Sequence, residues 1–409
     1  LRAESILFDP LSFTIGNQLQ LTACKHCASG QALAWSTTHS PLALLLLSQA
    51  SFQSLTSLTG TQGRGTSFTL VRYTTVYKIM KNWKDSLLKS GLPLEYEVKQ
   101  QFIKYNCVVK DEFTYIKSNE NNILKEFSYD LDAALYNYVD TFNFLIECKY
   151  RSPGIKWVFL PHSKSLKSDQ NYHSFLHTVD FFKERDSEFE TPEFLSSFPH
   201  RLGSFCKKGI EIGEVKNDES SIRKGIYQLS YGMIEKLLQS MEIQINFETF
   251  FSKSIIFHHI PIIITTAELY LINNKITINE IENSKDLIDI ATKEDFLIYQ
   301  HDIGLDLRKH NSERLTNFFK PEMKKKAVQK LRRPKKNVED LIKYIAGEFS
   351  LKSIIIINHK EESYSKLFKY IGELMNPSEE TKSKYNDNKK EYYKYISKMM
   401  ESFKKPSTK

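Results

Sequence analysis

The chain has 409 residues, of which 41% are apolar and 26% charged, and it carries a net charge of +8. This is the composition of a soluble globular protein. The longest aliphatic run, residues 42–47, falls far short of the roughly 20 residues that a bilayer-crossing helix needs, and five scattered cysteines do not form a disulfide scaffold. No basic segment leads into an apolar signal core, so a cytoplasmic protein without a membrane partner is expected.

The first 70 residues hold only Arg2, Lys25 and Arg64 as cations and Glu4 and Asp9 as acids, and from about Tyr77 the composition turns to Lys, Ile, Asn, Tyr and Phe. Residues 1–76 therefore read as an atypical low-charge extension, either non-native sequence or a disordered segment. Cys24 and Cys27 have the spacing of zinc ligands, but no second cysteine pair exists to complete a site.

A helical pattern runs from Val76 to about Leu88. Ser90-Gly91-Leu92-Pro93 then opens a second helix through Glu95, Val98 and Phe102, with proline in the first turn. Strand patterns follow at residues 105–109, 113–116, 125–131 and 142–150. Residues 163–200 are polar and mixed, read as helix and loop, with His173 and His177 on one helix face. A short strand is predicted at 209–215 and a clear helix over 221–239, where Ile222, Ile226, Leu229, Met233 and Leu237 recur at helical spacing. The most apolar strand region is 254–272, with His258 and His259 ending it on one side. Residues 353–357 form a further buried strand, followed by a helix over 363–375. Alternating helices and strands predict an α/β fold with a mixed sheet flanked by helices.

Charge is unevenly spread. Residues 321–409 hold 22 Lys+Arg against 12 Asp+Glu, whereas the first 320 hold 35 against 37. The excess is densest at Lys324, Lys325, Lys326, Lys330, Arg332, Arg333, Lys335 and Lys336. It reads as a surface for a polyanion or as a solvated basic tail. The organisation expected is an extension over 1–76, a catalytic domain over 77–320 with an insertion at about 151–220, and a basic α/β region over 321–409.

One run carries chemistry. Phe142-Asn143-Phe144-Leu145-Ile146 is a core strand that ends in Glu147-Cys148-Lys149-Tyr150-Arg151. Residues two apart in a strand share a face, so Glu147 and Lys149 project together. A carboxylate and an ammonium at the end of a core strand are costly unless paired or coordinated. Asp132 on the preceding strand can join them, and two carboxylates with one lysine suit a divalent metal and an attacking water. Glu-x-Lys occurs five times in the chain, but only here does it end an apolar strand with an acidic strand just upstream.

Leu92-Pro93-Leu94-Glu95-Tyr96-Glu97-Val98, Tyr129-Asp130-Leu131-Asp132-Ala133 and Ile146-Glu147-Cys148-Lys149-Tyr150-Arg151 together resemble the restriction-endonuclease-like, or PD-(D/E)xK, nuclease superfamily. The resemblance covers about residues 84–275. It implies a core of a helix, a three-stranded meander, a helix and a further strand, and a Mg²⁺-dependent endonuclease acting on DNA, with RNA as an alternative substrate. The family aspartate falls on Asp132 or Asp130, which the strand period alone does not separate; Asp132 is preferred because an apolar residue precedes it and small apolar residues follow. Asp130 is then a second acceptor. Glu147 is the second metal ligand, the Cys148 carbonyl a third, and Lys149 the group that contacts the water or the phosphate. The first-helix glutamate is Glu95, with Glu97 second, and Gln228 on the later helix is a phosphate or water contact. The insertion at 151–220 departs from the family pattern. A competing reading is a module of the same fold that binds nucleic acid without turnover, and a homodimer is left open.

Overall fold

The computed structural model describes residues 83–404, apart from 119–122, 138–139, 163–173, 183–193, 214–218, 247–254, 303, 333–336 and 350–352. The expectations for residues 1–76, for Cys24 and Cys27, for His173, and for Arg333, Lys335 and Lys336 lie outside these residues. The described residues belong to one compact unit, Tyr73–Lys409. Among them no helix is long and apolar enough to cross a membrane.

The fold is mixed α/β. Helix α1 (Leu92–Lys104) precedes strands β1 (Val108–Ser118), β2 (Leu124–Tyr136), β3 (Asp140–Lys149), β4 (Lys156–Pro161), β5 (His177–Val179) and β6 (Ser204–Ile212). Helix α2 (Ser220–Asn246), β7 (Ile256–Thr265), β8 (Glu268–Ile272), α3 (Ile278–Asn283), β9 (Ala291–Glu294) and β10 (Phe296–Gln300) follow. Helices α4 (Leu305–Phe318), α5 (Pro321–Lys330) and α6 (Val338–Lys343), strand β11 (Ser353–Asn358), α7 (Glu361–Met375) and α8 (Glu379–Lys404) complete the order. The eleven strands form one sheet in the order β1-β2-β3-β7-β11-β10-β6-β4-β8-β9, with β5 paired to β7. The β1-β2-β3 meander is antiparallel, and β3, β7 and β11 run parallel.

Burial on both faces explains the near-continuous apolar sequence of β3, β7 and β11. Every residue of β7 and of β11 is buried. On one face α2 packs with Leu145, Ile263 and Ile356, backed by Leu315, Ala327 and Leu341 from α4, α5 and α6. On the other face Leu94, Val98 and Phe102 of α1 meet Phe144, Ile146, Ile262 and Ile355, together with Leu367 and Ile371 of α7. Helix α1 starts as its sequence indicates. Gly91 adopts φ 87°, a left-handed conformation that costs glycine little, and a proline sits in the first turn. Helix α2 lies close to the sheet because Gly232 leaves room for the Tyr129 ring, which an added Cβ would meet at 2.9 Å.

Several expected boundaries move. Residues 108–109 and 113–116 of the two expected strands belong to the single strand β1, while 105–107 close α1, and the run 254–272 divides at residues 266–267 into β7 and β8. The described part of 151–220, expected as an insertion, adds β4, β5 and β6 to the main sheet. His177 lies in β5 rather than on a helix, paired with His259. His258 and His259 are fully buried near the start of β7, the end remote from Glu147. There His258 hydrogen-bonds with Asp140 and Thr178, which satisfy it inside the core, whereas His259 meets Ser240 through Nε2 and keeps a buried Nδ1 without a hydrogen-bond partner.

Residue 321 is likewise no boundary of the fold, because β11 lies between β7 and β10 in the middle of the sheet. A chain ending at residue 320 would bare the facing edges of both strands. A urea titration followed by circular dichroism should therefore show no cooperative transition for that truncation and a cooperative one for the full chain.

Candidate functional site

The site forms where β3 ends. Glu147 is 0% exposed and pairs through Oε1 with the Lys149 ammonium, whose side chain is 18% exposed. Its other oxygen, Oε2, is buried without a hydrogen-bond partner. Lys149 also donates to Gln228 Oε1 at 3.3 Å, and Gln228 Nε2 donates to the Ser128 carbonyl at 3.0 Å. Gln228 thus ties α2, the catalytic strand candidate and β2 together. Gly225, one turn earlier in α2, lies over β7 and the pair: an added Cβ would crowd Ile263 Cδ1 at 3.2 Å and would make ordinary contact, at 3.4 Å, with Glu147 Cγ and Lys149 Cε.

The acid that stands at the end of β3 is Asp130, whereas Asp132, the one preferred from the sequence, lies further along β2. Asp130 Oδ2 accepts the Cys148 backbone N–H at 2.6 Å, in the position where the β2–β3 ladder stops at Leu131↔Ile146. Asp132 is engaged elsewhere, accepting from Tyr129 Oη at 3.0 Å and from Lys236 Nζ at 2.9 Å. The cause is a kink. The β1–β2 register is the same on either side of it, Asp111↔Leu131 and Phe113↔Tyr129. Yet Leu131 packs into the core under α1 while Tyr129 packs into the core under α2. Strict alternation would put those two residues on one face. The switch leaves Asp130 in neither core and aims it at the end of β3.

Glu95 is also drawn in, whereas Glu97 turns away to hydrogen-bond with His359 Nε2 at 2.9 Å. An open cleft of about 600 Å³ is lined by Leu92, Glu95, Tyr96, Lys99, Asp111, Glu112, Asp130 and Leu131. Sequence reading gave no signal for Asp111, Glu112 or Lys99 here. Asp111 and Glu112 are neighbours in sequence that both line the cleft, a consequence of the same kink. Lys99 pairs with Asp111 at 2.6 Å.

Burial and mutual repulsion raise the proton affinity of the crowded carboxylates. Burial pushes Glu147 up to about 8, with the Asp130 charge adding and Lys149 opposing. Burial also raises Asp130, against the Cys148 N–H and Lys149, which lower it. Glu95 is raised by burial, then by Asp130 and Glu112. The Cys148 thiol lies in the α1-side core and is pushed far up by burial. Its backbone carbonyl is different: a strand residue directs its N–H and C=O to the same edge, here the edge facing Asp130.

Among the described residues no three His, Cys, Asp or Glu side chains stand close enough together to hold a metal ion. The donor chemistry nevertheless suits a hard divalent cation. The unpartnered Glu147 Oε2, the raised Asp130 and Glu95, and the edge carbonyl of Cys148 are all oxygens.

The described part of the basic run does not reach this site. Lys324 pairs with Glu339, Lys326 donates to Asn246 Oδ1 at 3.1 Å, and Lys330 donates to the Ile245 carbonyl at 2.8 Å. Lys325 and Arg332 are exposed. The Lys326 and Lys330 contacts lie at the C-terminal end of α2, on the order of 25 Å from Gln228 at 1.5 Å per helical residue.

Comparison with family models, with curated proteins and with solved structures returns no match.

The raised Glu147 makes a signed prediction. Below about pH 4.5 the group is protonated in both the folded and unfolded chain. Between there and about pH 8 only the unfolded chain ionises, so stability falls as pH rises. Glu147→Gln removes this loss. In metal-free buffer at pH 8 the variant should be more stable than wild type by about 1–3 kcal/mol, and the difference should shrink towards zero by pH 4.5. Urea titrations of both proteins across this range measure it.

Proposed function

We propose that the chain is a metal-dependent phosphodiesterase of the restriction-endonuclease-like type, acting on nucleic acid and on DNA first. The observation that carries this reading is Glu147: fully buried beside Lys149, with one oxygen unpartnered and with Asp130 and Glu95 raising its affinity for a proton. Burying a carboxylate so poorly satisfied costs several kcal/mol, and such cost concentrates at functional sites. The element order supports the reading as well: α1, the β1-β2-β3 meander, the crossover helix α2 and the parallel strand β7 follow the order that the sequence resemblance implies.

In this reading Asp130, Glu147 and the Cys148 carbonyl would hold Mg²⁺, with Glu95 the further carboxylate of the cleft. The ion, when bound, supplies Lewis acidity towards the scissile phosphate and acidifies water. Lys149 presents its ammonium to a non-bridging phosphate oxygen. Glu147 and Gln228 fix where that ammonium points, so little orientation has to be acquired during the reaction. Glu95 orients and accepts a proton from the attacking water, a role its raised proton affinity suits. Lys236 holds Asp132, with Tyr129, in a structural pair beneath the site.

Cleavage of plasmid DNA, single-stranded DNA and RNA with Mg²⁺ tests the proposal. Asp130→Asn and Lys149→Ala should each lower the rate by about 10²-fold or more. Asp132→Asn should keep most of the activity and act mainly on stability. Failure of the wild type to cut any of the three substrates would refute the proposal, and loss of activity in Asp132→Asn with none in Asp130→Asn would reverse the assignment.

A further inference from the structure

Helix α1 has two faces. Leu94, Val98 and Phe102 are buried in the core. Leu92, Glu95, Tyr96 and Lys99, at i, i+3, i+4 and i+7, share the face that lines the open cleft. Two of these are large apolar groups in water: Leu92 is 60% and Tyr96 64% exposed. They stand one turn apart and form a single shelf. Among the described residues the Tyr96 ring meets no other ring, and its hydroxyl has no hydrogen-bond partner. An exposed aromatic next to a carboxylate of the candidate site is where a ligand surface is expected.

The rest of the cleft decides what that ligand is. Glu95, Asp111, Glu112 and Asp130 all line it. Among the described lining residues the only cation is Lys99, and it is paired with Asp111 at 2.6 Å. A phosphate beyond the scissile one is therefore unfavourable in the cleft. A nucleobase brings no charge. Its plane can lie on Tyr96 and Leu92, as bases lie on aromatic side chains in single-strand binding, and its amino groups can donate to the carboxylates. At about 600 Å³ the cleft has room for one nucleoside. A base paired inside a duplex cannot present its face to a side chain without first leaving the stack.

We propose that the cleft beside Glu95 takes an unpaired nucleobase, stacked on Tyr96 and Leu92, and that the substrate is a single strand or a single-stranded segment rather than intact duplex. The inference rests on the nucleic-acid phosphodiesterase reading above and narrows its substrate. Tyr96 binds and orients the nucleoside next to the scissile phosphate and takes no part in proton transfer.

The test uses the full chain and one fluorescein-labelled DNA strand, free or annealed to its complement, with an RNA strand of the same sequence as a third probe. In Mg²⁺ the wild type should cut the free DNA strand about tenfold faster or more, as kcat/KM, than the duplex. Tyr96→Ala should lose about tenfold on the free strand, mainly in KM, and nothing on the duplex, while Tyr96→Phe keeps the wild-type preference. Binding is read by fluorescence anisotropy in Mg²⁺ in a Lys149→Ala background, where no turnover is expected. Adding Tyr96→Ala there should weaken the free strand about tenfold and leave the duplex unchanged. A folding defect would instead weaken both substrates together. The inference is overturned if wild type cuts duplex as fast as the free strands, or if Tyr96→Ala leaves single-strand cleavage and binding unchanged. The phosphodiesterase reading survives either result. Tyr96-dependent cleavage of the RNA strand in place of the DNA strand keeps the base site and assigns the sugar. Tyr96-dependent binding by a chain that cuts nothing would sustain the base site and reject hydrolysis. A chain that binds no probe rejects both.

Discussion

The organisation of this molecule depends on one unfavourable burial. Glu147 is sealed at the end of a central strand with a single cation beside it and one oxygen unanswered. A fold that minimised its own energy would place an apolar residue there, as it does at Leu145 on the same face. The surroundings instead accommodate the carboxylate: Gly225 lets α2 approach, Gln228 steadies Lys149, and Asp130 caps the strand end at Cys148. Each feature is locally understandable, and together they give up stability for a preset charge pattern.

The kink in the β1–β2 ribbon is the second determinant. It turns Asp130 out of the sheet's alternation, and it lets Asp111 and Glu112 face the same cleft. It also frees the outer part of the ribbon to lie against α2 instead of continuing beside β3. One local irregularity therefore sets both the acid that stands at the end of β3 and the course of the outer ribbon, which Tyr115 and Ser128 bond to Gln228 of α2.

Much of this was legible from residues. Gly91 and Pro93 opened α1 where expected, the apolar run ending in Glu-Cys-Lys became β3, and helical spacing over 221–239 found most of α2 together with Gln228. What failed was long-range or irregular. Alternation could not separate Asp130 from Asp132 because it assumes an unkinked strand. Charge density suggested a separate basic region from residue 321, yet Lys324 pairs with Glu339 on α6, and Lys326 and Lys330 bond to the end of α2. The polar stretch after Arg151, read as an insertion because the family order continues directly to a helix, holds β4 and β6, whose pairing with each other and with β8 joins segments far apart in sequence, which no local pattern reports.

The position of β11 bears on how the chain comes to exist. Strands β7 and β10 are complete long before the segment that bridges them, and residues 262–265 of β7 have their outer neighbour only when residues 355–358 arrive. During synthesis the growing chain would hold an isoleucine-rich edge open, dependent on chaperones or on speed to escape aggregation. It would also assemble the α7 support of α1 last. The centre of the sheet therefore closes only after residues 353–358 have followed the strands on either side of them.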